Sequence, residues 1–199
     1  MKSTLLATAI AAVLSFTVLA SSASAAAGDS TTFNLKLSAG AASCLASNAF
    51  GRVVISDLGP VQNMHVEVFH LPANTEFAAF LLQVPNKPFG LAWYQGDIVT
   101  NKNGKGVGDF TGIFGKETFI VAPGVSPAPA IFPDNATSNP ATAPVQLFHM
   151  GIWFADPAAA SQAGCGDSVT PFDGDHQAGI QVLNTSNFPD GRGPLLKLQ

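Results

Sequence analysis

Asn63-Met64-His65-Val66-Glu67-Val68-Phe69-His70 is the stretch that decides the fold. In an extended chain Met64, Val66 and Val68 share one side and His65 and Glu67 the other, which is the pattern of a half-buried strand. Working outward, Phe33, Leu35 and Leu37 repeat the alternation. Further strand candidates are Arg52 to Leu58, Phe77 to Val84, Leu91 to Val99, Gly106 to Phe114, Thr118 to Ala122, Val145 to Phe154 and Ala178 to Asn184. Turn signals part them: Leu58-Gly59-Pro60, Pro85-Asn86-Lys87-Pro88, and Asn103-Gly104, where a hairpin needs positive backbone angles. Many short strands with frequent Gly and Pro predict an all-β protein, an antiparallel β-sandwich of Greek-key or jelly-roll type.

One short inserted helix is expected at Asp156-Pro157-Ala158-Ala159-Ala160-Ser161-Gln162, with Asp156 capping, Pro157 at the first helical position and Gly164 ending it. From about 122 to 144 the chain is rich in Pro, Ala, Ser, Thr and Asn, which favours extended backbone. We read it as a long loop inside one domain spanning 26–199, because the pieces on either side are too small to bury separate cores.

The first 25 residues have the layout of a secretory signal peptide. Lys2 supplies the charge, Leu5 to Leu19 the apolar stretch, and Ala23-Ser24-Ala25 the small-residue exit. That stretch is shorter than the ~20 residues a membrane span needs, and nothing after it is longer, so no integral membrane segment is expected in the mature chain. The product is then exported, to a periplasm or beyond the cell. Cys44 and Cys165 would mature where thiols oxidise, and we expect them to pair. Charged residues are 11% of the chain, the net charge is -4, and no Lys/Arg cluster exists, which argues against a nucleic-acid partner. Hydrophobic residues reach 47%, so scarcity of charge does not mean disorder.

Each candidate chemistry requires particular residues at particular spacings. Gly166-Asp167-Ser168 matches the GDS of trypsin-like serine proteases, but Val169 and Thr170 stand where those enzymes carry glycines, and no G-x-S-x-G elbow occurs elsewhere. Asp97, Asn101 and Asn103 offer oxygens to a cation without EF-hand spacing, so the turn reading is preferred. His65 and His70, five positions apart, point to opposite faces of a strand and cannot serve one ion. The remaining metal candidates are His149 with the loop residues Asp173, Asp175 and His176, which could hold a divalent ion only through a tertiary contact. The chain shares export, a disulfide and histidines with copper-zinc superoxide dismutases, yet it lacks their H-x-H pair, and none of their ligands carries over. Core packing is the preferred reading for each tryptophan; as ligand-binding candidates, Trp153 shares a strand face with His149 opposite a wholly apolar face, and Trp93 and Tyr94 are adjacent aromatics of which one can face the core, so that the His149–Trp153 side is where a polar-lined groove would be expected. Asn135-Ala136-Thr137 and Asn184-Thr185-Ser186 match the glycosylation sequon.

The stretches 80–101, 148–165 and 176–191 resemble those of uncharacterised exported bacterial proteins, a similarity that implies a compartment and no activity. With no nucleophile-base pair or phosphate loop in sight, the expected function is a non-enzymatic module, without cofactor, that binds an envelope, carbohydrate or protein partner. The alternative is a metal-binding protein or metal-dependent enzyme built on His149 and the 173–176 loop. A catalytic site assembled from distant loops leaves no trace in sequence, so enzymatic activity stays open.

Overall fold

A computed structural model of the chain describes residues 30–115, 146–171 and 177–198. The expected leader, the strand expected at 118–122, the long loop expected at about 122–144, the sequon at Asn135, and Asp173, Asp175 and His176 lie outside the described residues.

The strands are β1 (Ser30–Leu37), β2 (Phe50–Asp57), β3 (Gln62–Phe69), β4 (Glu76–Leu82), β5 (Ala92–Val99), β6 (Gly106–Gly112), β7 (His149–Phe154), β8 (Thr170–Pro171), β9 (Gln177–Ala178) and β10 (Gln181–Asn184), with the helix α1 (Pro157–Gln162) after β7. Eight of them form one antiparallel sheet in the order β5-β4-β7-β10-β1-β2-β3-β6, while β8 and β9 pair apart. The edge strands β5 and β6 meet at a bridge between Thr100 and Gly106, so the sheet nearly closes into a barrel. Two packed sheets were expected; the pairing gives one. Alternation cannot tell these apart, since sandwich and barrel both turn every second side chain toward a single core. Around the ring β3, β6, β5 and β4 stand in Greek-key order.

The closure depends on missing side chains. Register with Val68, Val66, Met64 and Gln62 puts Gly106, Gly108, Phe110 and Gly112 on the inner face of β6. A Cβ on Gly108 would stand 2.7 Å from the Phe110 ring and 2.8 Å from Ile98, and one on Gly96 of β5 only 2.6 Å from the same ring. Phe110 therefore lies across the β5–β6 seam in space that any larger residue would occupy. Inside, Phe33, Val53, Met64, Phe77, Ile152 and Val182 belong to one continuous core.

The crossover from β3 to β4 is fastened at the bottom of that seam. Buried Thr100 accepts a hydrogen bond from the Thr75 N–H at 3.0 Å, and its hydroxyl lies 2.6 Å from the Pro72 carbonyl. In the neighbouring turn only Gly104 takes a positive φ, of 70°, and Asn103 does not. Asn101 Oδ1 instead accepts from the N–H groups of Asn103 and Lys105, at 2.8 and 3.2 Å, so its oxygen serves the turn.

The helix forms as read. Asp156 caps it by accepting from Ala158 N at 2.8 Å, and Gly164, at φ 77°, ends it with bonds from Gly164 N to the Ser161 carbonyl and from Cys165 N to the Ala160 carbonyl. That ending delivers Cys165 to Cys44, which follows β1. The two are disulfide-bonded across 121 positions, with Cα atoms 5.1 Å apart.

Candidate ligand groove

β7 is buried along its whole length, which the sequence His149-Met150-Gly151-Ile152-Trp153-Phe154 allows on both faces. Met150, Ile152 and Phe154 enter the barrel core. On the outer face Trp153 is 3% exposed and packs with Leu82 and Ala178 in a second, smaller cluster that Phe80 and Phe89 flank. Gly151 makes this possible: a Cβ there would sit 2.6 Å from the Trp153 ring and 2.7 Å from Gln181 Nε2.

The cover is the connection from β4 to β5, 83–91, which folds back over the outside of the barrel. Its own bonds run from Val84 N to the Phe89 carbonyl, 3.1 Å, and from Phe89 N to the Asn86 carbonyl, 2.8 Å; Leu91 N donates to Gln83 Oε1 at 2.8 Å. Two amides from β10 pin it. Gln181 Nε2 donates to the Pro85 carbonyl at 3.0 Å, and Asn184 Nδ2 lies 3.3 Å from the same carbonyl and from Asn86 Oδ1. Residues three apart on a regular strand face opposite ways, and an irregularity in the β10–β7 register between Gln181 and Leu183 brings both amides to one loop. The loop holds Phe89 at φ 61°, a left-handed conformation that costs a non-glycine residue about 1 kcal/mol or more. Its ring then stands edge-on to Trp153, with centroids 5.2 Å apart; Phe80 meets Trp153 at 5.3 Å.

Between loop and barrel lies a cavity of about 680 Å³ whose apolar walls are Phe80, Leu82, Phe89, Ala92, Trp153 and Val169. A second lobe of about 240 Å³ adjoins it, sharing Lys87, Phe89, Trp153 and Thr170 and adding the more polar Ser38, Asn86, Ser168 and Gln181. Volume and lining match those of sites for small organic molecules, which are mostly apolar with a few placed polar groups.

Of the residues singled out in the sequence, Trp153 is central. Tyr94 stands beside the site, its ring 5.6 Å from that of Phe80, but neither Tyr94, 39% exposed, nor Trp93, 49% exposed, lines either lobe. Neither faces the core. His149 shares the outer face of β7 but is fully buried beneath the C-terminal segment, so the groove is apolar where a polar lining with His149 was expected. His149 Nε2 is 2.8 Å from the Asp190 carbonyl and Nδ1 is 2.8 Å from Thr185 Oγ1. A carbonyl only accepts, so Nε2 carries the hydrogen, and in the neutral ring Nδ1 accepts from the Thr185 hydroxyl. Burial holds the His149 pKa below the ordinary histidine value, against the opposing pull of its bond to Asp190. With both nitrogens engaged, this imidazole has no lone pair turned toward a metal ion. Its expected partners Asp173, Asp175 and His176 lie outside the described residues, among which no group of three or more His, Cys, Asp or Glu converges on a metal site. His65 pairs with Asp109 at 2.8 Å on the barrel's opposite, polar flank.

The residues that sequence reasoning missed are Phe80, Leu82, Lys87 and Phe89. Phe80 and Leu82 sit in a run too apolar to assign faces, and 85–88 carries only a turn signal. No protein-family model, curated protein or solved structure matches the chain.

Proposed function

We propose that the chain is an exported, non-enzymatic β-barrel module that binds a small, largely apolar ligand in the groove beneath the 83–91 loop. The observation that carries this reading is the groove's construction. A left-handed Phe89 and a glycine-backed Trp153 are fixed by hydrogen bonds that reach from β10 to the loop, around a cavity of about 680 Å³. Such pre-organisation lowers the ordering cost of binding. The Cys44–Cys165 disulfide supports export, because such bonds persist in oxidising compartments. Among the described residues no helix is long and apolar enough to cross a membrane, which is compatible with release behind a cleaved leader.

The neutral fluorophore phenylnaphthylamine tests the groove. It should bind the purified mature protein, and Val169→Asp, a change at an exposed position of the wall, should weaken it at least about tenfold by placing a charge against the apolar body. Binding untouched by Val169→Asp and by Ala92→Arg would place the ligand elsewhere. The amino terminus of the natural product, expected near Ala26, tests export; a product beginning at Met1 would remove it.

A further inference from the structure

The two lobes differ in character, and one residue is common to them that differs from all the others. Lys87 lines both cavities and is the one formally charged side chain among their described linings; no carboxylate lines either lobe. It is exposed and stands apart from the ion pairs His65–Asp109 and Lys105–Glu67 found among the described residues. Around it the smaller lobe offers the hydroxyls of Ser38, Ser168 and Thr170 and the amides of Asn86 and Gln181. Gln181 and Asn86 already serve the loop, the Ser38 hydroxyl donates to the Gln181 carbonyl of β10, and the Thr170 hydroxyl donates to the Gly179 carbonyl. Lys87 thus remains the one charged side chain of the two linings, at the junction of a mostly apolar chamber and a more polar one.

We propose that the ligand is a small amphipathic carboxylic acid, with its ring or acyl body in the larger lobe and its carboxylate against Lys87. This deepens the binding function above and rests on it. The chain's net charge of -4 repels anions at long range, but that field is screened within about 8 Å at physiological ionic strength, whereas a contact with Lys87 is not. A neutral apolar ligand would gain nothing from a cation placed at this junction.

Two probes with nearly the same ring skeleton separate the possibilities: anilinonaphthalene sulfonate, whose anion stands in for the carboxylate, and the neutral phenylnaphthylamine. The preference for the sulfonate over the neutral probe should fall about three- to fivefold in Lys87→Gln, as expected for one largely exposed charge contact, and should persist in Lys87→Arg. Raising salt should erode the same preference in the wild type. Because Lys87 is a surface residue, these variants should fold, which thermal melts would check. A preference unchanged in Lys87→Gln, with phenylnaphthylamine still displaced by Val169→Asp, would overturn the anion assignment and leave the groove standing. Binding of neither probe would overturn both.

Discussion

The barrel has two flanks that solve the same problem differently. On β1, β2, β3 and β6 the outer face is open to solvent and mainly polar: Arg52, His65, Glu67 and Asp109 alternate with buried Val53, Met64 and Val66, and the pairs His65–Asp109 and Lys105–Glu67 decorate the surface beside the stacked rings of Phe50 and Phe69. The adjacent ammonium of Lys105 holds the Glu67 carboxyl below its ordinary pKa. On β4, β7 and β10 both faces are largely buried, and the outer one is covered by chain drawn from elsewhere, the 83–91 loop over Trp153 and the C-terminal segment over His149. A strand buried on one face needs only its own alternation, whereas a strand buried on both needs partners that arrive from a distance. The second flank is where a ligand-sized space could arise.

The largest test of that difference is parity. In β7 neighbouring positions should both matter: Ile152→Ala should cost about 2–5 kcal/mol and Trp153→Ala about 3–5 kcal/mol, since one empties the core and the other the outer cluster. In β1 only one parity should matter, with Leu35→Ala costing about 2–5 kcal/mol and Thr32→Ala staying within about 0.5 kcal/mol. Urea denaturation midpoints measure all four. A mild Trp153→Ala would erase the contrast between the flanks.

The disulfide joins the flanks, from the end of β1 to the end of α1. Replacing Cys44 and Cys165 together with alanine should cost about 2–4 kcal/mol, read as a lower melting temperature that reduction of the native protein reproduces. Equal stability with and without the bond would mean that the two flanks are held together by the core alone.

What could be read in advance follows the same division. Met64-His65-Val66-Glu67-Val68 placed β3 and its faces because one face is wet, and the Asp156, Pro157 and Gly164 signals placed α1 because capping is local. The closing strand was harder. Gly106, Gly108 and Gly112 carry no hydrophobicity to alternate, so the inner face of β6 is defined by what Phe110 and Ile98 place over it. Around the groove, Gln181 and Asn184 reach the loop through an irregularity in register, and the loop that carries Phe89 is pinned by bonds to residues nearly 100 positions away. Strand parity points His149 toward the groove; the segment that buries it, with Thr185 and Asp190, follows β10 and has no pattern that ties it to β7.

Next in size is Thr100, which holds the crossover between the flanks. Thr100→Val keeps the shape and removes the acceptor for the partly buried Thr75 N–H, so it should cost about 1–3 kcal/mol, while Thr100→Ser should recover most of it. Amide exchange at Thr75 should quicken in the first variant and not in the second. Equal costs in the two variants would mean that the hydroxyl contributes no more than the methyl group that Thr100→Ser removes.

The smallest effect lies at His149 and concerns how the covered flank responds to acid. Burial lowers its folded-state pKa, so below the unfolded value near 6.5 the unfolded chain binds a proton that the folded chain resists. The stability that neutral His149 contributes is therefore fully present above about pH 6.5 and declines as pH falls toward the depressed folded value, with a slope of at most about 1.4 kcal/mol per pH unit for one proton. His149→Gln retains a side-chain N–H able to donate to the Asp190 carbonyl but cannot titrate. Its stability should lose this component of the acid slope, and the difference between wild type and variant, followed by urea unfolding from pH 7.5 down to pH 5, isolates the histidine from the carboxylates. A slope that survives the substitution unchanged would mean that the C-terminal cover opens to admit the proton without unfolding, and the second flank would then be covered far more loosely than the bonds from His149 to Thr185 and Asp190 imply.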